Sequence, residues 1–366
     1  MKCISLAGRI GGLFPIVCLF AICQATETIV REASGIVRSG DTLLIVADDA
    51  DGVYFEVPLD GATGPIIPID PDRVREVKMP GAELALDLEG IALLADERIV
   101  VLSEQLRCLI GRTVPGGDRF SVIAEYDRPF AEFGNRGLEG LAVLREEAGS
   151  SRVAVLWEGG YPEREDIPEE LRERIERLPL APVIVVHEVG KGEIVGRVNH
   201  PLQILRLSVP EPPGSPPFAQ RFRGADLVWH RWSDTGSGGK TVEGFIVLLS
   251  SESSPPDTAD IPTRYELKVL QRFTPDGKPA GEPLSINELC RRALIASDTS
   301  LTGELPGKMA VHMREIAGLL ERGGWENINW EGLGWFEEGK SLVAIYDEKP
   351  LDPPFAFVFD IPPEWK

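Results

Sequence analysis

Leu138-Glu139-Gly140-Leu141-Ala142-Val143, followed by Val153-Ala154-Val155-Leu156-Trp157-Glu158, is the stretch that decides the fold, because the chain says it again. Leu88-Glu89-Gly90-Ile91-Ala92-Leu93 leads to Val100-Val101-Leu102-Ser103-Glu104. Trp330-Glu331-Gly332-Leu333-Gly334-Trp335 leads to Leu342-Val343-Ala344-Ile345-Tyr346-Asp347. Each copy is an acidic residue and a glycine opening one apolar strand, then a second apolar strand ending on an acid. Two weaker copies fit. Ala33-Ser34-Gly35-Ile36-Val37 leads to Leu43–Asp48, and Ala225-Asp226-Leu227-Val228-Trp229 leads to Phe245–Ser250. The last has Asp in place of Glu-Gly. A competing frame starts it at Val242-Glu243-Gly244 and makes residues 264–273 its second strand.

A third strand follows each pair, at 52–58, 106–112, 182–189, 264–273 (in the earlier frame) and 354–361. Outer strands are readable at 73–79, 120–126 and 202–209. Short apolar runs bounded by turns favour strands over long helices. A sheet with two apolar faces cannot hide both alone, and packing such sheets around an axis solves this. The expectation is therefore an all-β fold, a β-propeller with five visible blades and short helical insertions. The longer gaps before and after the fourth copy leave room for a sixth blade. Residues 27–31 are a candidate outer strand for the last blade, closing the ring through the chain ends. Insertions at 167–178, 285–297 and 310–322 read as short helices, with Ser285 capping the second. Residues 210–217 form a proline-rich loop.

The chain has 366 residues, 38 glycines and 30 prolines, which suits one large turn-rich domain over residues 26–366. Lys2 and Arg9 precede the mostly apolar residues 10–22, and a polar break follows at 24–27. That is the layout of a secretory signal peptide over residues 1–25, too short in its apolar core for a comfortable membrane span. The expected location is secreted or periplasmic, and no second long apolar stretch exists. The formal charge is −20, and losing Lys2 and Arg9 with the leader makes it −22. Such a surface repels nucleic acid and anionic membranes and suits cations. Cys108 and Cys290 remain after cleavage, either as one disulfide or as two buried thiols.

Radial symmetry brings Glu89, Glu139 and Glu331 to one mouth of the axial channel, with Asp226 or Glu243 in blade four and Ser34 in blade one. The second strands return to the same face, adding Asp48, Glu104, Glu158 and Asp347. Clustered carboxylates repel, and bound cations, arginines or raised pKa values relieve them. Ca2+, with six to eight oxygen ligands, suits Glu89, Glu104, Glu139, Glu158, Glu243, Glu331, Asp347 and Asp48. Asn135, Asn327 and Asn329 are nearby neutral donors. Arg136 would neutralise a carboxylate or hold an anionic substrate. The alternative is that these acids only accept backbone N–H groups between blades. No Gly-x-Ser-x-Gly elbow, zinc helix or complete phosphate loop occurs, and the four histidines do not suggest a zinc site.

Asn135-Arg136-Gly137-Leu138-Glu139-Gly140-Leu141-Ala142, with Trp157-Glu158, resembles the core phrase of the phytase-like domain family, known for esterase-like activity of phytase. Residues 32–36 resemble its opening strand, and Asn329-Trp330-Glu331-Gly332-Leu333 with Tyr346-Asp347 its closing blade. The resemblance spans about residues 30–362. It implies an exported propeller and a phosphoester or carboxylester hydrolase. In that reading Glu139, Glu89 and Glu331 are the first candidates for catalysis and Arg136 for the substrate anion, with a small phosphate or carboxylate ester as substrate. A non-catalytic propeller binding a ligand, envelope component or protein partner, with a structural cation site, is the alternative.

Overall fold

The computed structural model describes residues 30, 32–60, 64–83, 87–126, 137–144, 150–159, 181–190, 202–209, 223–234, 239–253, 265–296, 328–347 and 355–366. They form five four-stranded antiparallel sheets arranged as propeller blades. Blade 1 holds β1 (Ala33–Ser39), β2 (Thr42–Ala47), β3 (Val53–Pro58) and β5 (Arg75–Lys78). Blade 2 holds β6 (Leu88–Leu93), β7 (Ile99–Ser103), β8 (Cys108–Arg112) and β9 (Phe120–Glu125). Blade 3 holds β10 (Leu138–Val143), β11 (Ser150–Trp157), β12 (Val183–Gly190) and β13 (Gln203–Arg206). Blade 4 holds β14 (Arg223–Asp234), β15 (Lys240–Ser253), β16 (Tyr265–Phe273) and β17 (Leu284–Ser285). Blade 5 holds β18 (Asn329–Glu337), β19 (Ser341–Asp347), β20 (Phe355–Asp360) and β4 (Ile66–Pro68).

Both faces of each blade are covered, which explains runs without alternation such as β7, where all five residues are buried. The apolar side chains gather into five cores, and each is shared by two neighbouring blades. They join blades 1 and 2, 2 and 3, 3 and 4, 4 and 5, and 5 and 1. An open row of five sheets would have four such cores. The fifth, uniting Ile45 and Phe55 of blade 1 with Ile345 and Ala356 of blade 5, closes the ring.

Closure differs from the expectation. The outer strand of blade 5 is β4, not residues 27–31: Phe355, Ala356 and Phe357 pair with Pro68, Ile67 and Ile66. The chain leaves blade 1 after β3, completes blade 5, and returns to blade 1 as β5. Ile66 and Ile67 bring the apolar content this needs, 3% and 2% exposed. Blade 4 takes the earlier of the two frames, since β14 is innermost and β16 third.

Of the expected helices, α1 (Ile286–Ala296) is described. The amide of Glu288 donates to Ser285 Oγ at 3.4 Å, the anticipated cap. Its residues Ile286, Leu289 and Cys290 pack into the core between blades 4 and 5. The helices expected at 167–178 and 310–322 and the loop at 210–217 lie outside the described residues, as does the leader. Cys108 and Cys290 are two buried free thiols. Among the described residues no helix is long and apolar enough to cross a membrane.

Candidate metal centre at the acidic mouth

Every innermost strand carries a β-bulge at its first residues. The slipped residue is Ser34, Glu89, Glu139, Ala225 and Glu331 in blades 1 to 5. A bulge leaves one residue unpaired and re-aims its side chain. The same slip shows that Asp226 occupies the place of the glycine, not of the glutamate, which belongs to Ala225.

That shift has a structural use. A Cβ on Gly35 would lie 2.8 Å from Gly90 Cα, one on Gly140 2.8 Å from Asp226 Cα, and one on Gly332 3.2 Å from Gly35 Cα. Four glycines and Asp226 thus form a tight ring around the axis, with the aspartate side chain in space the glycines leave. Asp226 Oδ1 accepts the amides of Leu141 (3.3 Å) and Leu227 (2.7 Å), and Oδ2 that of Leu333 (2.6 Å). One carboxylate therefore clasps blades 3, 4 and 5. Burial pushes its pKa well above the usual range, and the amides of Leu333, Leu227 and Leu141 pull the other way. For this acid the inter-blade hydrogen-bonding alternative holds.

The remaining acids collect on one side of the ring. Asp48, Asp87 and Glu89 each offer a carboxylate oxygen within 4.8 Å of the others. Ser34 Oγ donates to Asp48. Glu104, 8% exposed, lies beside Asp87, and the two share a hydrogen bond. Its Oε1 is sealed from solvent and accepts nothing from the described residues. Gly137 lets that carboxyl lie against the backbone, since a Cβ there would sit within bonding range of Oε1. Burial first, then Asp87 and Glu158, push Glu104 up to about 9. Glu89 is raised well above normal by burial and by Glu139, Asp48, Glu104 and Asp87. Glu139 is raised by burial and by Glu158, Glu104 and Glu331, with Arg223 opposing.

The far side of the mouth carries cations. Arg223 Nη1 lies 3.1 Å from Glu158 Oε2. Buried Lys268 Nζ lies 3.6 Å from Glu331 Oε1, which also accepts Asn329 Nδ2 at 2.6 Å. Repulsion is thus eased by protein cations near Glu158 and Glu331, while Asp48, Asp87 and Glu89 form an acidic cluster that could coordinate a divalent cation. Oxygen atoms separated by less than about 5 Å fit around an ion with bonds of roughly 2.3–2.6 Å, and the donor set is hard oxygen. Glu104 lies beside this group, against Asp87, but outside the set of oxygens that converge within 4.8 Å.

Glu243 stands elsewhere. It lies on β15 opposite Arg231, at 2.8 Å from that guanidinium, toward the other end of the blade. Asp347 closes β19 opposite Asn329, and its side chain is outside the described residues, as are Arg136, Asn135 and Asn327. Sequence reasoning missed Asp87, Arg223 and Lys268. Asp87 had a signal: it precedes Leu88-Glu89-Gly90 where Gly137 precedes Leu138-Glu139-Gly140. His187 is buried edge-on to Tyr126 and held neutral, its pKa lowered by burial to about 4. His230 Nε2 bonds the carbonyl of Trp365 at 2.7 Å.

Neither a family model nor a curated protein matches the sequence. Solved structures do, remotely. A gluconolactonase from Xanthomonas campestris aligns at 11% identity and TM-score 0.35, over 91% of this chain and 87% of that one. The calcium-binding protein regucalcin from Agrobacterium tumefaciens gives 11% and 0.35, over 91% of each. A putative glycoside hydrolase from Parabacteroides distasonis gives 11% and 0.41, over 91% and 86%. Likenesses this remote bear on neither activity nor ligand. The propeller rests on its own five sheets and five cores.

Proposed function

We propose that the chain is an exported propeller that binds Ca2+ at its acidic mouth and uses the ion to hydrolyse a small phosphate or carboxylate ester. The observation that carries this reading is the convergence of Asp48, Asp87 and Glu89, with Glu104 buried beside them and its Oε1 without a partner among the described residues. Carboxylates packed this closely repel one another, and a bound cation relieves them as protonation does in its absence. Asp48, Asp87, Glu89 and Glu104 would hold the ion. A bound cation supplies charge to position an anionic or carbonyl oxygen and to acidify water.

Glu139 is half-buried at the mouth, and burial, then its acidic neighbours, raises its proton affinity, so proton transfer is assigned to it. Glu331, tied to Asn329 and Lys268, suits orientation of the mouth more than proton transfer. Arg136, next in the chain to the Gly137 that abuts Glu104, is assigned to the substrate anion. Export rests on the leader-like residues 1–25.

Two measurements test this. Calcium titration by calorimetry should give one tight site per chain, lost in Glu104→Gln. A panel of p-nitrophenyl phosphate and acyl esters should show calcium-dependent turnover that Glu139→Gln abolishes without loss of calcium binding. Calcium binding with no turnover on any ester supports a non-catalytic, ligand- or protein-binding propeller. No calcium binding at all would sink both.

A further inference from the structure

The innermost strands run away from the acidic mouth, and past the ring of glycines and Asp226 they line a second cavity of about 520 Å3. That volume falls within the range of small-molecule sites, about 300–1,000 Å3. Its floor is apolar, built from the residues that follow the ring position, among them Ile91, Leu141, Leu227 and Leu333. Three of these donate their amides to Asp226, so the clasp is also the partition between this cavity and the acids. Trp229 and Trp335 form a wall, fixed to each other by Trp335 Nε1 donating to the Trp229 carbonyl at 2.8 Å. Trp229 Nε1 is sealed from solvent and has no acceptor among the described residues.

The charges at the rim are Arg38, Arg231 and Glu338. Arg231 is neutralised by Glu243. Arg38 is not: its guanidinium donates to the carbonyls of Gly40 and Phe336, both at 2.8 Å, and lies over the Phe336 ring, with no carboxylate partner among the described residues. A guanidinium with no carboxylate partner among the described residues, at the mouth of an apolar cavity in a chain of charge −20, is a recognition element for an anion, and Glu338 on the same rim leaves room for only one such head, held against Arg38.

We propose that this second mouth binds a small amphiphilic carboxylate, its apolar or aromatic body on the floor and against the tryptophans, its anionic head on Arg38. The site is independent of the calcium reading, because it shares no residue with the acidic cluster.

The test uses the full mature chain and the fluorescent anion 1-anilinonaphthalene-8-sulfonate, with near-UV circular dichroism confirming the native fold in every sample. One saturable site per chain is expected, unchanged by chelator and displaced by 2-naphthoate at least tenfold better than by neutral 2-naphthalenemethanol. Ala95→Trp places bulk at the exposed rim and should abolish binding. Arg38→Gln should weaken it about tenfold, the usual value of one charge-assisted hydrogen bond. Binding that survives Ala95→Trp, or equal displacement by the charged and neutral naphthalenes, would overturn the proposal. Failure here with calcium binding intact leaves the acidic mouth untouched, and the converse holds.

Discussion

Replacing Asp226 by alanine removes the acceptor of three backbone amides in three blades at once. Each amide left buried without a partner costs about 1–3 kcal/mol. The acidic mouth lies next to the ring and admits some water, so the sum should fall toward the low end, about 3–5 kcal/mol. That is a large share of the roughly 5–15 kcal/mol by which domains are stable. Asp226→Asn keeps an oxygen for Leu141 and Leu227 but turns an N–H toward that of Leu333, losing about 1–3 kcal/mol from a single pair. Equilibrium urea unfolding at pH 7, with and without calcium, measures both, and the order parent, asparagine, alanine should hold in either condition. The opposite prediction exists and is sharp. If Asp226 were only one more buried, repelling carboxylate, its removal would relieve desolvation and stabilise the protein. An alanine variant as stable as the parent, or more so, refutes the clasp.

The acidic mouth should make the calcium-free protein prefer low pH. Glu104 is raised to about 9, and Glu89 and Glu139 are also raised, so the folded state holds protons that the unfolded state releases. Their stabilisation is complete below pH ~4.5 and is lost as pH rises toward 9. In chelator the urea midpoint should fall between pH 5 and 8, and calcium should flatten the fall; a rising midpoint in chelator contradicts it. Gly140→Ala would put a Cβ 2.6 Å from Asp226 Oδ1 and 2.8 Å from its Cα, costing about 1–3 kcal/mol by overpacking, read by the same unfolding curve. Cys108 and Cys290 are buried free thiols, so a thiol reagent should label neither before unfolding, and reductant should leave the melting temperature unchanged.

The blades were legible because each repeats the same apolar strands, and because burial on both faces writes continuous runs such as Ile99–Ser103. The position of Asp226 was not. Aligning copies by their acid sets Asp226 against Glu89, but the backbone aligns them by the bulge, which falls on Ala225. A bulge is a hydrogen-bonding event that side-chain identity does not announce. Closure failed for a related reason: Ile66–Pro68 is three residues long and reads as part of a loop until Phe357 is there to pair with it. Asp87 was visible as an acid in the slot where blade 3 has Gly137, yet its value depended on Glu104 returning beside it from the second strand. Glu243 drew attention through a Glu-Gly pair that the fold uses at the other end of the blade.

The placement of β4 also sets a timetable. The segment that locks the ring is tethered on both sides by blade 1, while its mate Phe355–Phe357 is made only after the strands of all the other blades. Until then blade 1 lacks the residues of blade 5 that complete their shared core, and contacts this distant in sequence form slowly. A chain made only as far as blade 4 therefore cannot close. Losing β20 would leave β4 with nothing to grip, whereas losing Trp365 would open the core between blades 4 and 5 and free His230 without unpairing β4.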